Sequence, residues 1–339
     1  MAARAAALLS LLLGAQSTAP PHRLSRFDVS ALTFAPAASS RMLDASPATV
    51  AHGDTITVRV LSVPAHSTGC FVGAYLVTDD VLVTAPLEFY AIACAPATLT
   101  FRALNERASW VFVLGDGGVL APRVLATSNA VAFSDVNAPH AVRLTPAAEA
   151  GAVRVAWTSA KPAASGPRVV LRAAAGGANA TFPAETLHVQ ERDFCGGDAT
   201  GKGFRDPGFF HTALVTGLAP GAQYEYSVGD AADESTFFAF RALPTAAANG
   251  DALYPFVMLA VGDVGQDTVD GASEFCETFP PAPNTTTLIA RDVALGAQAV
   301  LHAGDISYAR GFTSSWETFH DSLAAITPHV PYGINLGNQ

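Results

Sequence analysis

Three short motifs in the last third of the chain carry side chains suited to metal chemistry: Gly262-Asp263-Val264-Gly265, Gly304-Asp305-Ile306-Ser307-Tyr308 and Leu336-Gly337-Asn338-Gln339. Each follows a short apolar run, at 256–261, 299–303 and 332–336, with the length of a buried strand. Two carboxylates, a phenol and an amide oxygen are thereby expected about two residues past three strand ends. Ligands of parallel sheets bind beyond the carboxyl ends of the strands, so the three ends predict one crevice. Hard oxygen donors of this kind suit a pair of cations that bind phosphate. Asp305 has two oxygens with which to bridge them. Tyr308, one loop turn further on, offers a phenolate, which favours a trivalent ion, Fe(III). Gly262, Gly304 and Gly337 are expected to let the backbone turn sharply at each site.

The elements that must position these residues follow from periodicity. Between the three runs, 288–298 has helical spacing, with Leu288, Val293 and Leu295 apolar. Residues 316–326 place Trp316, Phe319, Leu323 and Ile326 on one helical face. The order β-α-β-α-β predicts the start of a parallel sheet over 252–339. Upstream, 28–137 alternates with period two, as in 55–60 and 110–114, and reads as a small antiparallel β-sandwich. A second β unit spans 138–243. Its six predicted strands and the tryptophan Trp157 suit a fibronectin-III or immunoglobulin-like sandwich. The Ala-Ala-Ala-Asn-Gly tract in 245–251 reads as a linker. The fold class is thus multidomain: two N-terminal β-sandwiches and the first half of an α/β domain.

Composition excludes several roles. The chain has 339 residues, half of them hydrophobic, and a formal net charge of −10. An acidic chain without a Lys/Arg cluster is a poor match for nucleic acid or for an anionic membrane. Arg4, the apolar stretch at 5–14, and Ser17 and Ala19 before Pro20 have the form of a secretory leader over 1–19. Secretion, to the cell exterior, cell wall or vacuole, is the expected location, with no membrane association once the leader is removed. Four cysteines, Cys70, Cys94, Cys195 and Cys276, are then free to pair, and Cys70 with Cys94 is favoured because both lie in the first β unit. Asn179-Ala180-Thr181 and Asn284-Thr285-Thr286 are glycosylation sequons. The nine histidines include no close ligand pair. His302 reads as a structural strand residue, His211 as an interdomain contact, His320 and His329 as surface groups. Asp267 and Asp270 read as members of a solvated loop.

These motifs resemble the purple acid phosphatases, a branch of the dinuclear metallophosphoesterases. The stretch Gly304-Asp305-Ile306-Ser307-Tyr308-Ala309-Arg310-Gly311 is close to that family's second motif. Trp316, Phe319 and Pro328 fall where the family has its Trp, Phe and Pro. Asp193-Phe194-Cys195-Gly196, the stretch from Phe204 to Thr212, and Asp270-Gly271 resemble the long plant-type subgroup, which carries an extra N-terminal β domain. The resemblance implies that Asp263 and Tyr308 bind Fe(III), that Asp305 bridges, and that Asn338 binds a divalent ion, Fe, Zn or Mn. It implies acid phosphatase activity on a phosphate ester: the cations polarise the phosphate and acidify a water that attacks phosphorus. A histidine acid would protonate the leaving alcohol. Here Gln339 stands where the family has a histidine, so the catalytic acid is unassigned. The expectation is a C-terminally truncated member, inactive or weakly active alone, with an uncovered apolar face on its half-sheet. A non-catalytic β-sandwich binding protein with a remnant phosphatase domain and a metallophosphodiesterase are the competing readings. Homodimerisation is left open.

Overall fold

Alternation of apolar and polar residues builds the first unit. The computed structural model describes residues 42–81, 83–118, 122–162, 166–231, 234–244 and 256–338. The leader at 1–19, the 28–41 start of the first β unit, the 245–251 linker and Gln339 lie outside the described residues. Strands β1 (Leu43–Ser46), β2 (Thr49–Val50), β3 (Thr55–Val60), β4 (Cys70–Leu76), β5 (Phe89–Ile92), β6 (Ala97–Arg102), β7 (Trp110–Asp116), β8 (Arg123–Thr127) and β9 (Ala132–Phe133) form this unit. A β1-β3-β6 sheet lies against a β5-β4-β7-β8 sheet, and both are antiparallel. Strand β3 reads TITVRV, and it buries Ile56, Val58 and Val60 against Phe101, Phe112 and Leu114. Two details differ from the sequence reading. The 124–133 run is two strands, because the Asn129 amide turns aside to pair with both main-chain groups of Ala45 at 3.1 and 2.9 Å. Strands β2 and β9 pair in parallel. A disulfide joins Cys70 to Cys94.

The second unit contains β10 (His140–Pro146), β11 (Val153–Ser159), β12 (Arg168–Ala173), β13 (Ala180–His188), β14 (Phe209–Val215), β15 (Gln223–Gly229) and β16 (Phe238–Arg241). Their order is β10-β11-β14-β13-β12-β15-β16. Strand β13 belongs to both sheets of this sandwich. Ala180–Pro183 pair with β12, and Ala184–His188 with β14, so the strand changes sheets after Pro183. Proline lacks the N–H for a central ladder and suits such a break. Sequence periodicity missed β13 because its residues, ATFPAETLH, are mostly exposed, and only Phe182 and Ala184 pack partly buried against the core. Trp157 is core, packed with Val155, Val169, Tyr226 and Val228. His211 is not an interdomain contact. Its ring nitrogens pair with Ser159 Oγ at 2.8 Å and Thr186 Oγ1 at 2.9 Å, inside this sandwich.

The third unit has the predicted element order. Strands β17 (Met258–Val261), β18 (Ala299–His302) and β19 (Tyr332–Ile334) are parallel, with Val261 opposite His302 and His302 opposite Ile334. Helix α1 is Ala282–Ala294 and helix α2 is Ser314–Ser322. Helix α1 begins six residues before the predicted start, because Pro283 suits the first turn, and it ends before Gly296, whose φ is +113°. Its buried residues are Ala282, Thr286 and Ile289, whereas Leu288 and Leu295 face solvent. Phe319, Leu323 and Ile326 are buried as their spacing requires, although the last two lie in turns beyond α2; Trp316 is 39% exposed. Both helices cover the face of Val300 and Tyr332. On the opposite face Met258 and Leu301 are 49% and 40% exposed.

Charged contacts dock the units. Glu317 and Asp321 on α2 accept from Arg107 Nη2 at 2.5 Å and Arg102 Nη1 at 2.7 Å of the first sandwich. Asp270 is not solvated. Its Oδ2 accepts from Arg102 N at 2.7 Å and its carbonyl from Tyr90 Oη at 2.5 Å, while Phe89 bridges Ser273. Neither His320 nor His329 is a free surface group. Burial pushes His320 down to about 4, and His329 Nδ1 donates to the Ala239 carbonyl at 2.8 Å. From the second unit, Tyr226 Oη donates to the Pro328 carbonyl at 2.9 Å, and Val142 accepts from Thr327 Oγ1 at 2.9 Å. Arg205 binds all three units: Nη2 to Asp79 Oδ2 at 2.8 Å, Nη2 to the Ala85 carbonyl at 2.5 Å, and its own N–H to Thr313 Oγ1 at 2.8 Å.

The Arg205 and Asp79 side chains are only 3% and 6% exposed, so the ion pair is desolvated on both sides. Asp79→Asn would leave the guanidinium without its counter-charge, and chemical denaturation should show a loss of about 3 kcal/mol. Burial also pushes the nearby Glu106 carboxyl up to about 8, with Arg205 opposing. A raised carboxyl contributes stability that is complete below its ordinary value of 4.5 and is lost as pH rises through about 8. Denaturation of Glu106→Gln across that window should therefore show a flatter fall of stability with pH than the parent.

Candidate metal centre

Parallel register carries the site. Past the strand ends the β17 and β18 loops stay zipped: Ala303 N donates to the Val261 carbonyl at 2.7 Å, Asp263 N to that of Gly304 at 3.0 Å, and Gly265 N to that of Ile306 at 3.0 Å. Asp263, Asp305 and Tyr308 have φ of +53°, +51° and +54°. Left-handed backbone at three non-glycine residues is costly and persists only where the surroundings hold it. Asp263 lies two residues past its strand, Asp305 three and Asn338 four, rather than two each, because β18 and β19 end earlier than their apolar runs. The growing overhang brings the β19 loop back across Asp305.

The side chains of three of the four predicted residues converge. Tyr308 Oη lies 3.0 Å from Asp263 Oδ1 and 3.4 Å from Asp305 Oδ2, its single proton shared between two carboxylates. The Tyr308 ring is buried and packs on Phe279 at 4.3 Å. Burial, then the Asp263 hydrogen bond and charge, raise its phenol well above the ordinary range. The phenol is therefore protonated unless a cation takes the proton's place. Asn338 joins differently from the expectation: its backbone N–H donates to Asp305 Oδ1 at 2.6 Å.

Glycine matters at three positions: Gly304 has φ +134°, and a Cβ there would lie 3.0 Å from the Gly337 backbone. A Cβ on Gly337 would fall 1.7 Å from Asp305 Oδ1, and one on Gly265, at φ +63°, would strike the Phe279 ring at 2.4 Å. A Cβ on Gly262 would meet open space, so close approach does not require glycine there.

Two carboxylates and a phenol meeting at one point form a hard-oxygen donor set that fits one cation. Among the described residues no group of three or more His, Cys, Asp or Glu side chains is placed to hold a metal ion. His302, the histidine nearest in sequence, has both ring nitrogens engaged: Nδ1 with Tyr332 Oη at 2.9 Å and Nε2 with the Asp305 carbonyl at 3.3 Å. Burial pushes its pKa down. The sequence reading placed His302 in a strand but gave it no link to the site. Its place three residues before Asp305 was the available signal. Phe279 had none.

A family profile described as "Purple acid Phosphatase, N-terminal domain" matches residues 139–242, the second sandwich. "Probable inactive purple acid phosphatase 1" of Arabidopsis thaliana is 34% identical over 271 residues, 76% of this chain and 43% of that protein. The second sandwich is a purple acid phosphatase N-terminal domain. "Probable inactive purple acid phosphatase 24" of the same plant is 33% identical over 245 residues, 71% of this chain and 39% of its own length. The solved purple acid phosphatase from yellow lupin (Lupinus luteus) seeds superposes with a TM-score of 0.77 at 26% identity, covering 87% of this chain and 56% of that one. The chain thus spans less than half the length of these two curated relatives. Purple acid phosphatases use dinuclear metal centres.

Because Gly337 leaves room for the Asp305 carboxylate, Gly337→Ala should push that carboxylate aside at a cost of about 1–3 kcal/mol. Thermal or chemical denaturation reads the cost, and faster amide exchange at Asn338 reads the lost hydrogen bond.

Proposed function

We propose that the chain carries the metal-binding part of a phosphate-ester hydrolase. Asp263, Asp305, Tyr308 and Asn338 would be its ligands, for Fe(III) and a divalent ion, Fe, Zn or Mn. The supporting observation is Tyr308 Oη lying within 3.0 and 3.4 Å of carboxylates from two different strand ends. Asp263, Asp305 and Tyr308 would hold the trivalent ion, and Asn338 the edge where the divalent ion belongs. The bound ions would supply Lewis acidity toward a phosphate oxygen and a lowered water pKa. The chain's own residues orient: the left-handed turns aim both carboxylates outward, and Phe279 fixes the phenol. Both ring nitrogens of His302 are engaged within the fold, which leaves that imidazole no free proton for a leaving alcohol, so turnover by this chain should be low. Export from the cell is part of the reading, and the Cys70–Cys94 bridge supports it, since disulfides persist in oxidising compartments.

A second reading, a phosphate-binding protein without turnover, is favoured by the names of the two Arabidopsis relatives, both called probable inactive. Ferric titration of the full chain tests the shared premise. A visible tyrosinate absorption should appear and should vanish in Tyr308→Phe. Its absence from the folded parent would refute the metal assignment. Given binding, hydrolysis of p-nitrophenyl phosphate or of its bis-ester separates monoesterase, diesterase and binding protein.

A further inference from the structure

His302 is fully buried on β18, three residues before Asp305 and outside the predicted ligand set. Its ring touches two groups that matter. Nε2 lies 3.3 Å from the Asp305 carbonyl, and Nδ1 lies 2.9 Å from Tyr332 Oη on β19. A carbonyl oxygen only accepts, so Nε2 must carry the proton. In the neutral ring Nδ1 is then bare, and the Tyr332 hydroxyl donates to it. One tautomer satisfies both contacts. The pair forms a chain from β19 through the imidazole to the main chain of the metal loop.

That main chain needs holding. Asp305 sits at φ +51° directly after Gly304 at φ +134°. Its carboxylate is reached from outside by Tyr308 and by the Asn338 N–H. Its carbonyl is held from inside by His302. A buried carbonyl deprived of its donor rotates to find another, and rotation of the 305–306 peptide would carry Asp305 out of line with Asp263. We infer that His302 is a positioning residue of the metal centre, fixing the Asp305 peptide through an Nε2 proton whose place Tyr332 dictates. The inference rests on the metal reading for its consequence, and not for its geometry.

The test compares His302→Leu, His302→Gln and Tyr332→Phe with the parent as full chains. Amide hydrogen exchange over residues 303–308 is followed without metal, and ferric affinity is followed by the tyrosinate absorption. Outer-sphere partners typically contribute 10–100-fold to metal affinity, so His302→Leu should speed exchange over that segment and weaken ferric binding about 10-fold or more. His302→Gln should restore both, since its amide N–H reaches the carbonyl and its oxygen accepts from Tyr332. Tyr332→Phe, which keeps the ring and the core volume, should change both in the same direction by less. A merely structural histidine would raise exchange across the whole third unit and would not be rescued by glutamine. The inference is overturned if folded His302→Leu exchanges 303–308 like the parent, or if His302→Gln behaves like the leucine variant. Should His302→Leu not fold, unchanged exchange in Tyr332→Phe overturns it. Should the parent bind no ferric ion, the metal reading falls, and the exchange comparison alone still decides the positioning.

Discussion

Everything chemical in this chain depends on the register of three parallel strands. Val261, His302 and Ile334 lie side by side, so the three loops leave the sheet together at one edge. Hydrogen bonds continue the pairing past the strand ends, through Asp263 with Gly304 and Gly265 with Ile306. A slip of one residue in β18 would turn His302 outward and Leu301 inward, because successive strand side chains alternate faces. The carboxylates would then part, and the left-handed turns would lose the bonds that offset their cost. The site is a property of pairing before it is a property of any ligand residue.

The two sandwiches act on that sheet from different sides. The first grips the loop after Asp263 through Asp270 and Ser273, and it grips α2 through Glu317 and Asp321. The second reaches the turn before β19 through Tyr226 and Val142. Arg205 joins both to Thr313, five residues beyond Tyr308. Three strands and two helices bury little apolar surface by themselves, and one face of this sheet is open. Neighbouring units therefore supply order that three strands and two helices do not draw from their own core.

Much of this was legible before folding was considered. Apolar runs ending in Gly-Asp or Gly-Asn marked the three strands, and period-two alternation marked both sandwiches. Trp157 was rightly assigned to the core. Other features left no periodic trace. Strand β13 offers the core only Phe182 and Ala184, and it is a strand only because β12 and β14 flank it. Asp270, His320 and His329 looked like surface groups because nothing local reveals the partners that approach from residues 90–143 and 239.

The amino-acid sequence by itself determined the kinds of element, their order and the donor atoms available. Local spacing sets these, since burial of a face requires only a period, and a sharp turn requires only its own residues. The tertiary structure alone decided which donors meet. Tyr308 reaches both aspartates, Asn338 arrives by its backbone, and His302 holds Asp305 from beneath. Those outcomes depend on where strands end and on how far each loop overhangs. Both are settled by pairing between segments as far apart as Met258 from Ala299 and Val300 from Tyr332, which no local pattern encodes.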